Sequence, residues 1–354
     1  MEKIAFISGG NFVYWSSIIL ALSAVVAITM YAALYLAKGG KVAALSISIP
    51  LSLLLSIVLS RLVHWYCRED AYKSMKAAMT DYSWGGYALM GAFAACILVA
   101  CILRLVRLHR NLPQMLDCMA LGGGAGIAVG RLASLFNASD RGMVLPDSVG
   151  LPFAFPVTNA VSGVVENRLA TFMLQSIFVA AIVVLLLLYM GLCALGKKKV
   201  RDGDACLIFL LAYGAGQVVF DSTRYDSLFL RSNGFISIVQ ILGAVAIVLA
   251  IVVFSVRMVQ ARKLKVWFFP IWIALLGLIG CAGYMEYHVQ RHGNEAAFAY
   301  SVMGSCLALV VIITLVIRAL GLSAGKRNEA PAVASADLRA ETEASEQAEE
   351  MVSL

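Results

Sequence analysis

Residues 169–195 read LATFMLQSIFVAAIVVLLLLYMGLCAL, a run that contains no charged side chain. A helix needs about 20 mostly apolar residues to cross the hydrocarbon core of a bilayer. Helices and closed barrels are the structures that satisfy their backbone polar groups in lipid, and this run is continuous rather than alternating. The stretch therefore predicts a membrane-spanning helix.

Similar runs recur along the chain. Its 354 residues are 61% hydrophobic and 14% charged, with a mean hydropathy of +0.85, whereas a soluble domain is about half apolar and a quarter charged. The pattern predicts an all-α, polytopic transmembrane bundle, and the first block is too long for the apolar region of a signal peptide. Nine spans are predicted, at 11–37, 43–66, 85–107, 115–136, 169–195, 204–222, 235–256, 266–285 and 296–320.

The composition divides the chain into three parts. Spans 1 to 7 form a membrane domain (1–258), and spans 8 and 9 form an appended transmembrane hairpin (259–320). Residues 321–354 are rich in Ala, Ser and Glu, which predicts a disordered cytoplasmic tail. The loop at 137–168 contains several prolines and glycines, so we expect a structured cap or lid there.

Lysine and arginine are densest after spans 1, 3, 5, 7 and 9, as in GKKKVR at 196–201. The positive-inside rule then predicts an outside N-terminus and a cytoplasmic C-terminus. These juxtamembrane residues also explain the net charge of +7 without a nucleic-acid partner. Most of the eight cysteines lie inside apolar blocks without CxxC spacing, so we expect no metal site and no cofactor.

Four arginines lie at the predicted outer ends of spans, where the positive-inside rule disfavours them: Arg61, Arg131, Arg168 and Arg224. Arginine at the edge of the hydrocarbon is costly unless it has a partner. As a set they indicate a polar cavity for an anionic ligand. The alternative is that each one only reaches towards lipid phosphates.

The first motif, GGGAGIAVGR at 122–131, combines a packing face with a charge. Its glycines recur every fourth residue, which allows close helix approach. Arg131 then lies at the mouth of the seam, with Asn137 and Asp140 within two turns. Its planar guanidinium suits a phosphate, although a packing face with an ordinary charged cap is the alternative.

Two further motifs lie at the same predicted side. DYSWGGYALMGA at 81–92 places aromatic residues, including Tyr87, beside glycines, although such aromatics can also be interfacial belt residues. In AYGAGQVVFDSTRYD at 212–226, Gln217, Asp221 and Arg224 share one helical face. Asp221 needs a cationic partner in lipid, and Arg224 is the local candidate for either a structural pair or a catalytic role.

In this order, the three motifs resemble those of the prolipoprotein diacylglyceryl transferase family. The family's G-A-G-R-L-G-N-F-I-N-G-E is similar to the segment from Ala128 to Ser139, its D-G-G-M-S-F-H-G-G to 84–92, and its G-A-F-R-I-I-V-E-F-F-R to 214–224. The resemblance extends over about residues 10 to 258. It implies a seven-span core in a bacterial plasma membrane, to which this chain adds two C-terminal spans.

The resemblance implies transfer of the diacylglyceryl group of phosphatidylglycerol, or of another anionic phospholipid, to the lipobox cysteine thiol of a prolipoprotein, with release of glycerol phosphate. The implied partners are that lipid and the prolipoprotein signal peptide. Arg131 is the candidate for the headgroup phosphate, helped by Asn137. The predicted catalytic set is Arg131, Asp221, Arg224 and His64, and the predicted substrate-binding set is Arg131, Asn137, Asp140, Arg61, Tyr87 and Gln217.

The chain departs from the family at important positions. Met90 stands where the family has a histidine, and Gln217 where it has an arginine, while 169–175 keeps almost nothing of the family's H-P-S-Q-L-Y-E. His64, at the end of span 2, is a candidate replacement for the missing base. A non-catalytic relative that binds lipid or lipoprotein is therefore an alternative. A small-anion transporter is a third reading, which would need broken helices and charges near the membrane midplane.

Overall fold

The structure, a computed structural model, describes residues 3–81, 86–137, 139–146, 153–158, 162–196, 200–230, 233–262, 264–292 and 295–322. This part of the chain is a bundle of helices, which confirms the all-α prediction. In chain order the helices are α1 (Trp15–Ala37), α2 (Val42–Cys67), α3 (Met75–Thr80), α4 (Leu89–Leu105), α5 (Leu112–Gly130), α6 (Thr171–Leu195), α7 (Asp204–Ser222), α8 (Ile238–Arg262), α9 (Phe268–His292) and α10 (Ala296–Leu322).

Each predicted span corresponds to one helix, and 8 of the described helices are long and apolar enough to cross a membrane. The third span is shorter than predicted, because α4 has 17 residues and begins at Leu89 rather than near residue 85. Gly86 has a φ of +77°, which a right-handed helix does not accommodate. The fourth span ends as α5 at Gly130 and continues as a 3₁₀ turn, Arg131–Leu135.

Three antiparallel β-hairpins, which the sequence patterns did not predict, lie in the connections at one end of the bundle, here called the hairpin end. Their strands are β1 (Ile4–Ser8) with β2 (Asn11–Tyr14), β3 (Ala154–Thr158) with β4 (Val165–Leu169), and β5 (Phe229–Leu230) with β6 (Asn233–Ser237). The β3–β4 hairpin is the described centre of the 137–168 loop. From residue 323 onward, the predicted tail lies outside the residues that the structure describes.

The glycine face of α5 packs against α1. A Cβ atom added to Gly122 would lie 2.8 Å from the carbonyl oxygen of Ala27, and one added to Gly126 would lie 2.7 Å from the Ala27 Cβ. Ser23 also donates a hydrogen bond to the Gly126 carbonyl, at 2.8 Å. The glycines therefore hold α1 and α5 at close range, which places Arg131 at the end of a rigid pair.

Two pairs of helices lie on either side of a gap. Helix α1 packs mainly on α5 and α2 packs mainly on α4, whereas α1 and α2 contact each other only sparsely. Beyond α5, α7 packs on α8, with Gly214 and Gly243 in backbone contact, and α9 and α10 extend the same apolar core. The candidate site lies in the gap between the α1–α5 pair and the α2–α4 pair.

Candidate functional site

A cavity of about 550 Å³, here called the main cavity, lies between α1, α2, α4 and α5. Its volume falls within the range of small-molecule sites. Most of its walls are apolar, from side chains such as Leu20, Leu53 and Phe93. Its charged lining residues, Arg131 and Asp140, lie at the hairpin end, together with the polar residues Tyr87, Ser134, Asn137 and Ser139. Four predicted substrate-binding residues, Tyr87, Arg131, Asn137 and Asp140, therefore line one cavity.

Asp140 joins the two arginines of the first and third motifs. Its Oδ1 lies 2.8 Å from Nη1 of Arg131 and 2.7 Å from Nη2 of Arg224. Its Oδ2 accepts a hydrogen bond from the hydroxyl of Ser134 at 2.8 Å. Arg131 lies in the 3₁₀ turn after α5 and Arg224 follows the end of α7, so this carboxylate connects two helices that are distant in sequence.

Arg224 is held by two further carboxylates. Its Nε lies 3.0 Å from Oδ1 of Asp226, and its Nη1 lies 3.5 Å from Oδ1 of Asp221. Asp221 is buried in the last turn of α7, where its Oδ2 accepts a hydrogen bond from Ser237. The predicted pair of Asp221 and Arg224 is therefore present, and it belongs to a larger network.

Two members of the network, Asp140 and Arg224, are kept in the ionised form by their neighbours. Burial works against the ionisation of Asp140, but the guanidinium groups of Arg131 and Arg224 outweigh it and lower the pKa of this carboxyl to about 2. Burial likewise opposes the charge of Arg224, and Asp140, Asp226 and Asp221 together raise its pKa above the ordinary arginine value. Neither group is a proton carrier near neutral pH.

Arg131 is the cation at the wall of the main cavity. Its side chain is 13% exposed, and its Nη1 is engaged by Asp140. A guanidinium has five N–H donors in a flat fork, so a phosphate can approach the edge that Asp140 does not occupy. The arrangement orients a positive charge at the mouth of an apolar cavity, which suits an anionic amphiphile.

Gln217 is fully buried on α7 and does not line the main cavity. Its Oε1 accepts a hydrogen bond from Nε2 of Gln175 on α6, at 3.2 Å. Tyr213, one turn before Gln217, is buried within electrostatic reach of Arg131 and Asp221. The side-chain amides of Gln175 and Gln217 are neutral, so they cannot supply the charge of the arginine that the family has at the position of Gln217. Met90 lies in the first turn of α4, beside the cavity residue Leu89.

Arg61 and His64 lie beside a second, smaller cavity of about 350 Å³, whose lining includes His64, Tyr72 and Gly86. The Arg61 side chain is buried, and it donates hydrogen bonds to the carbonyl groups of Ala78, Asp81 and Gly86. Its guanidinium lies over the rings of Tyr72 and Tyr87, at 5.1 and 5.3 Å. These contacts hold the backbone of α3 and of the segment before α4, and Arg61 is not among the residues that line the main cavity.

His64 is paired with a tyrosine. Its Nδ1 lies 2.9 Å from the hydroxyl oxygen of Tyr72. The Arg61 guanidinium, which contacts both Tyr72 and Tyr87, separates this pair from the Tyr87 wall of the main cavity. His64 is therefore near the predicted site but on a different cavity from Arg131.

Arg141 is a buried cation of the site region that the sequence analysis did not select. It lies against the rings of Phe172 and Phe155, at 4.4 and 5.0 Å, and its Nη2 donates to the carbonyl groups of Ser134 and Asn137. It thereby fastens the β3–β4 hairpin beside the Arg131 turn. The aspartate-arginine pair at 140–141 was visible in the sequence, but its stacking partners are distant along the chain.

Arg168, the fourth arginine of the predicted set, points to other partners. On β4 it pairs with Glu166 at 2.8 Å and lies over the ring of Tyr225 at 4.7 Å. It does not line the main cavity. Asp226 and Ser134, by contrast, both contact Asp140. The sequence analysis did not select either residue, although Asp226 lies in the motif at 212–226 and Ser134 shortly follows the motif at 122–131.

Comparisons with known proteins identify the family of the chain. A sequence model of the family described as prolipoprotein diacylglyceryl transferase matches residues 3–257. The phosphatidylglycerol–prolipoprotein diacylglyceryl transferase of Clostridioides difficile (strain 630) is 23% identical over 259 residues, covering 72% of this chain and 96% of that relative. The protein of the same name from Bacillus velezensis is 26% identical over 262 residues, covering 73% and 92%. The chain therefore belongs to the prolipoprotein diacylglyceryl transferase family.

Proposed function

We propose that this chain transfers the diacylglyceryl group of phosphatidylglycerol to the lipobox cysteine thiol of a prolipoprotein. The observation that carries the proposal is the cluster of Arg131, Asp140 and Arg224 at the mouth of the apolar main cavity. The acyl chains occupy the apolar part, and the phosphate lies against Arg131. The sparse contact between α1 and α2 offers a lateral route from the bilayer.

The reaction needs one substitution at a glyceryl carbon. A bond forms between the thiol sulfur and that carbon, and the bond from the carbon to the phosphate oxygen breaks, so its electron pair leaves with glycerol phosphate. Arg131 neutralises the charge that develops on this oxygen, because fixed donors stabilise such charge better than water does. Arg224 and Asp221 hold Arg131 and Asp140 in position, and Asn137 adds a hydrogen bond to the headgroup phosphate.

The thiol proton needs an acceptor, and Asp140 is a poor one because its pKa is about 2. We assign this role to His64, whose Nδ1 contacts Tyr72. Tyr87 and Arg61 then form the boundary between His64 and the lipid. Gln217 supports the wall around Arg131 without adding charge. In this assignment Arg131 meets the reacting atoms, whereas His64, on the neighbouring cavity, takes up the thiol proton through water rather than by direct contact.

The proposed setting is a bacterial plasma membrane, with the hairpin end outside and the C-terminus in the cytoplasm, as the lysine and arginine clusters favour. In this proposal residues 1–258 form the catalytic unit and 259–320 the appended hairpin, followed by a tail. Both substrates then reach the site from the outer leaflet.

Complementation tests the proposal. The chain is expressed in a bacterium depleted of its own transferase, and lipidation of a reporter prolipoprotein is followed by gel shift. We expect lipidation with the natural sequence, and its loss with Arg131→Ala. Arg168→Ala is the matched control, since this arginine lies at the same end but pairs with Glu166. Absence of lipidation with the protein present in the membrane counts against the proposal.

A non-catalytic lipid-binding relative is the second candidate, and the neutral pair of Gln175 and Gln217 favours it. The double variant Met90→His with Gln217→Arg separates the two. If the natural chain is inactive and this variant gains lipidation, the scaffold is intact and lacks only reactive groups. The charges that the structure describes cluster at the ends of helices, which does not favour a transporter.

A further inference from the structure

Helix α10 contacts both ends of α7, the helix that carries Asp221. The two run in opposite directions, so the start of α10 meets the end of α7. Helix α10 lies beyond residue 257, where the match to the family ends. It is therefore a feature of this chain in addition to the family core.

The first contact lies at the start of α7, at the end of the bundle opposite the hairpins. Asp204, the first residue of α7, is buried, and its Oδ2 lies 2.7 Å from Nη2 of Arg318 on α10. Its Oδ1 lies 2.5 Å from Nη1 of Arg257 on α8. One carboxylate thus joins three helices, and Arg318 also donates to the hydroxyl of Tyr189 on α6, at 2.7 Å.

The second contact lies at the hairpin end. The hydroxyl of Tyr300, in the second turn of α10, donates a hydrogen bond to the carbonyl oxygen of Ser222, at 3.1 Å. Ser222 is the last residue of α7, and the last four carbonyl groups of a helix have no partner within it. It follows Asp221 directly and precedes Arg224 by two residues.

Between these contacts the helices share one apolar core. It includes Leu211 and Ala215 from α7, and Met303 and Val310 from α10. Packing restrains sliding between the helices, and the polar contact at each end fixes their register. The last turn of α7 therefore depends on α10 for its position.

We propose that α10 is a brace for α7 and that Tyr300 is a positioning residue for Asp221 and Arg224. The brace sets the orientation of Arg224 on Asp140, and so the shape of the headgroup site around Arg131. This inference rests on the proposed function for the identity of the ligand, phosphatidylglycerol. It assigns the added hairpin to the same site rather than to a separate activity.

The experiment compares Tyr300→Phe with the natural sequence in the purified full chain. Tyr284→Phe is the matched control, because it removes a hydroxyl from an exposed tyrosine of the same hairpin. Hydrogen exchange is followed by mass spectrometry in peptides over residues 219–226. Binding of phosphatidylglycerol and of phosphatidylcholine is titrated by native mass spectrometry, which requires no catalysis.

For Tyr300→Phe we expect faster exchange in this segment and phosphatidylglycerol binding weaker by about three-fold to ten-fold, as for the loss of one hydrogen bond. Phosphatidylcholine binding stays unchanged, and Tyr284→Phe behaves as the natural sequence. In lipidation kinetics the KM for the lipid rises while kcat changes less.

Unchanged exchange overturns the brace. Faster exchange with unchanged phosphatidylglycerol binding overturns the positioning role, since the contact would then be structural alone. If the natural chain binds phosphatidylglycerol and responds to Tyr300→Phe but lipidates nothing, the proposed transfer fails and the brace stands.

Discussion

Asp140 is the residue on which the geometry of the site depends most. Its single side chain contacts Arg131, Arg224 and Ser134, and its backbone N–H donates to Oδ2 of Asp226 at 2.9 Å. Removing one partner from a buried ionic network is costly because the remaining charges stay desolvated. Asp140 therefore links the stability of the hairpin end to the orientation of both arginines.

Asp140→Asn should lower stability in a pH-dependent way. The folded pKa of about 2 is below the unfolded value of about 3.9, so the carboxylate contributes stability above pH 4 that is lost as the pH falls towards 2. The shift corresponds to about 2–3 kcal/mol at neutral pH. Thermal unfolding of the detergent-solubilised protein, measured from pH 7 to pH 2.5, checks this.

The variant should unfold at lower temperature than the natural chain at pH 7, and the difference should shrink below pH 4. Asp70→Asn is the control, since Asp70 is exposed. A difference that stays constant down to pH 2.5 would mean that the ionised carboxylate is not the source of the stability.

At the scale of elements, α5 shows how one helix serves both packing and binding. Gly122 faces α1, where an added Cβ would lie 2.8 Å from backbone and side-chain atoms of Ala27 and Tyr31. The next residue, Gly123, has open space at the same position and lines the main cavity. Neighbouring glycines on one helix therefore have different tasks.

Gly122→Ala should destabilise the protein by roughly 1–3 kcal/mol, because α1 must move away from α5 to admit the methyl group. Gly123→Ala should change stability by less than about 1 kcal/mol, since alanine favours the helix and meets no neighbour. Unfolding in increasing denaturing detergent compares the two adjacent substitutions. Equal destabilisation by both would refute the assignment of the packing face to Gly122.

The 17-residue length of α4 also belongs to this scale. The backbone turn at Gly86 delays the start of the helix and brings the Gly86 carbonyl to Nη1 of Arg61, at 2.9 Å. Tyr87 is then placed at the wall of the main cavity. Because α4 begins at Leu89, Tyr87 lies in the segment before the helix and forms part of the wall of the main cavity.

At the scale of the whole molecule, the number of spans determines on which side of the membrane each connection between helices lies. We expect a C-terminal green fluorescent protein to be fluorescent and a C-terminal alkaline phosphatase to be inactive, because the last clusters of lysine and arginine remain in the cytoplasm. Fusions after residue 293, between α9 and α10, should give the opposite pair of signals. The same signals at both fusion points would contradict the assignment of α10 as a span.

The sequence by itself determined the membrane bundle, the helices of its nine predicted spans and the motifs around Arg131 and Arg224. Lipid imposes these features locally, since each helix must satisfy its own backbone and cover the hydrocarbon with apolar side chains. Helix positions are therefore encoded in consecutive residues. The same local logic revealed the glycine face of α5.

Only the tertiary structure decided which arginines meet. Arg131 and Arg224 share Asp140, whereas Arg61 is engaged by backbone carbonyl groups and Arg168 by Glu166, although all four looked alike in sequence. The contact of Tyr300 with α7 was equally hidden. The physical reason is that the partner of a charge depends on distances across the fold, which hydropathy and spacing along the chain do not encode.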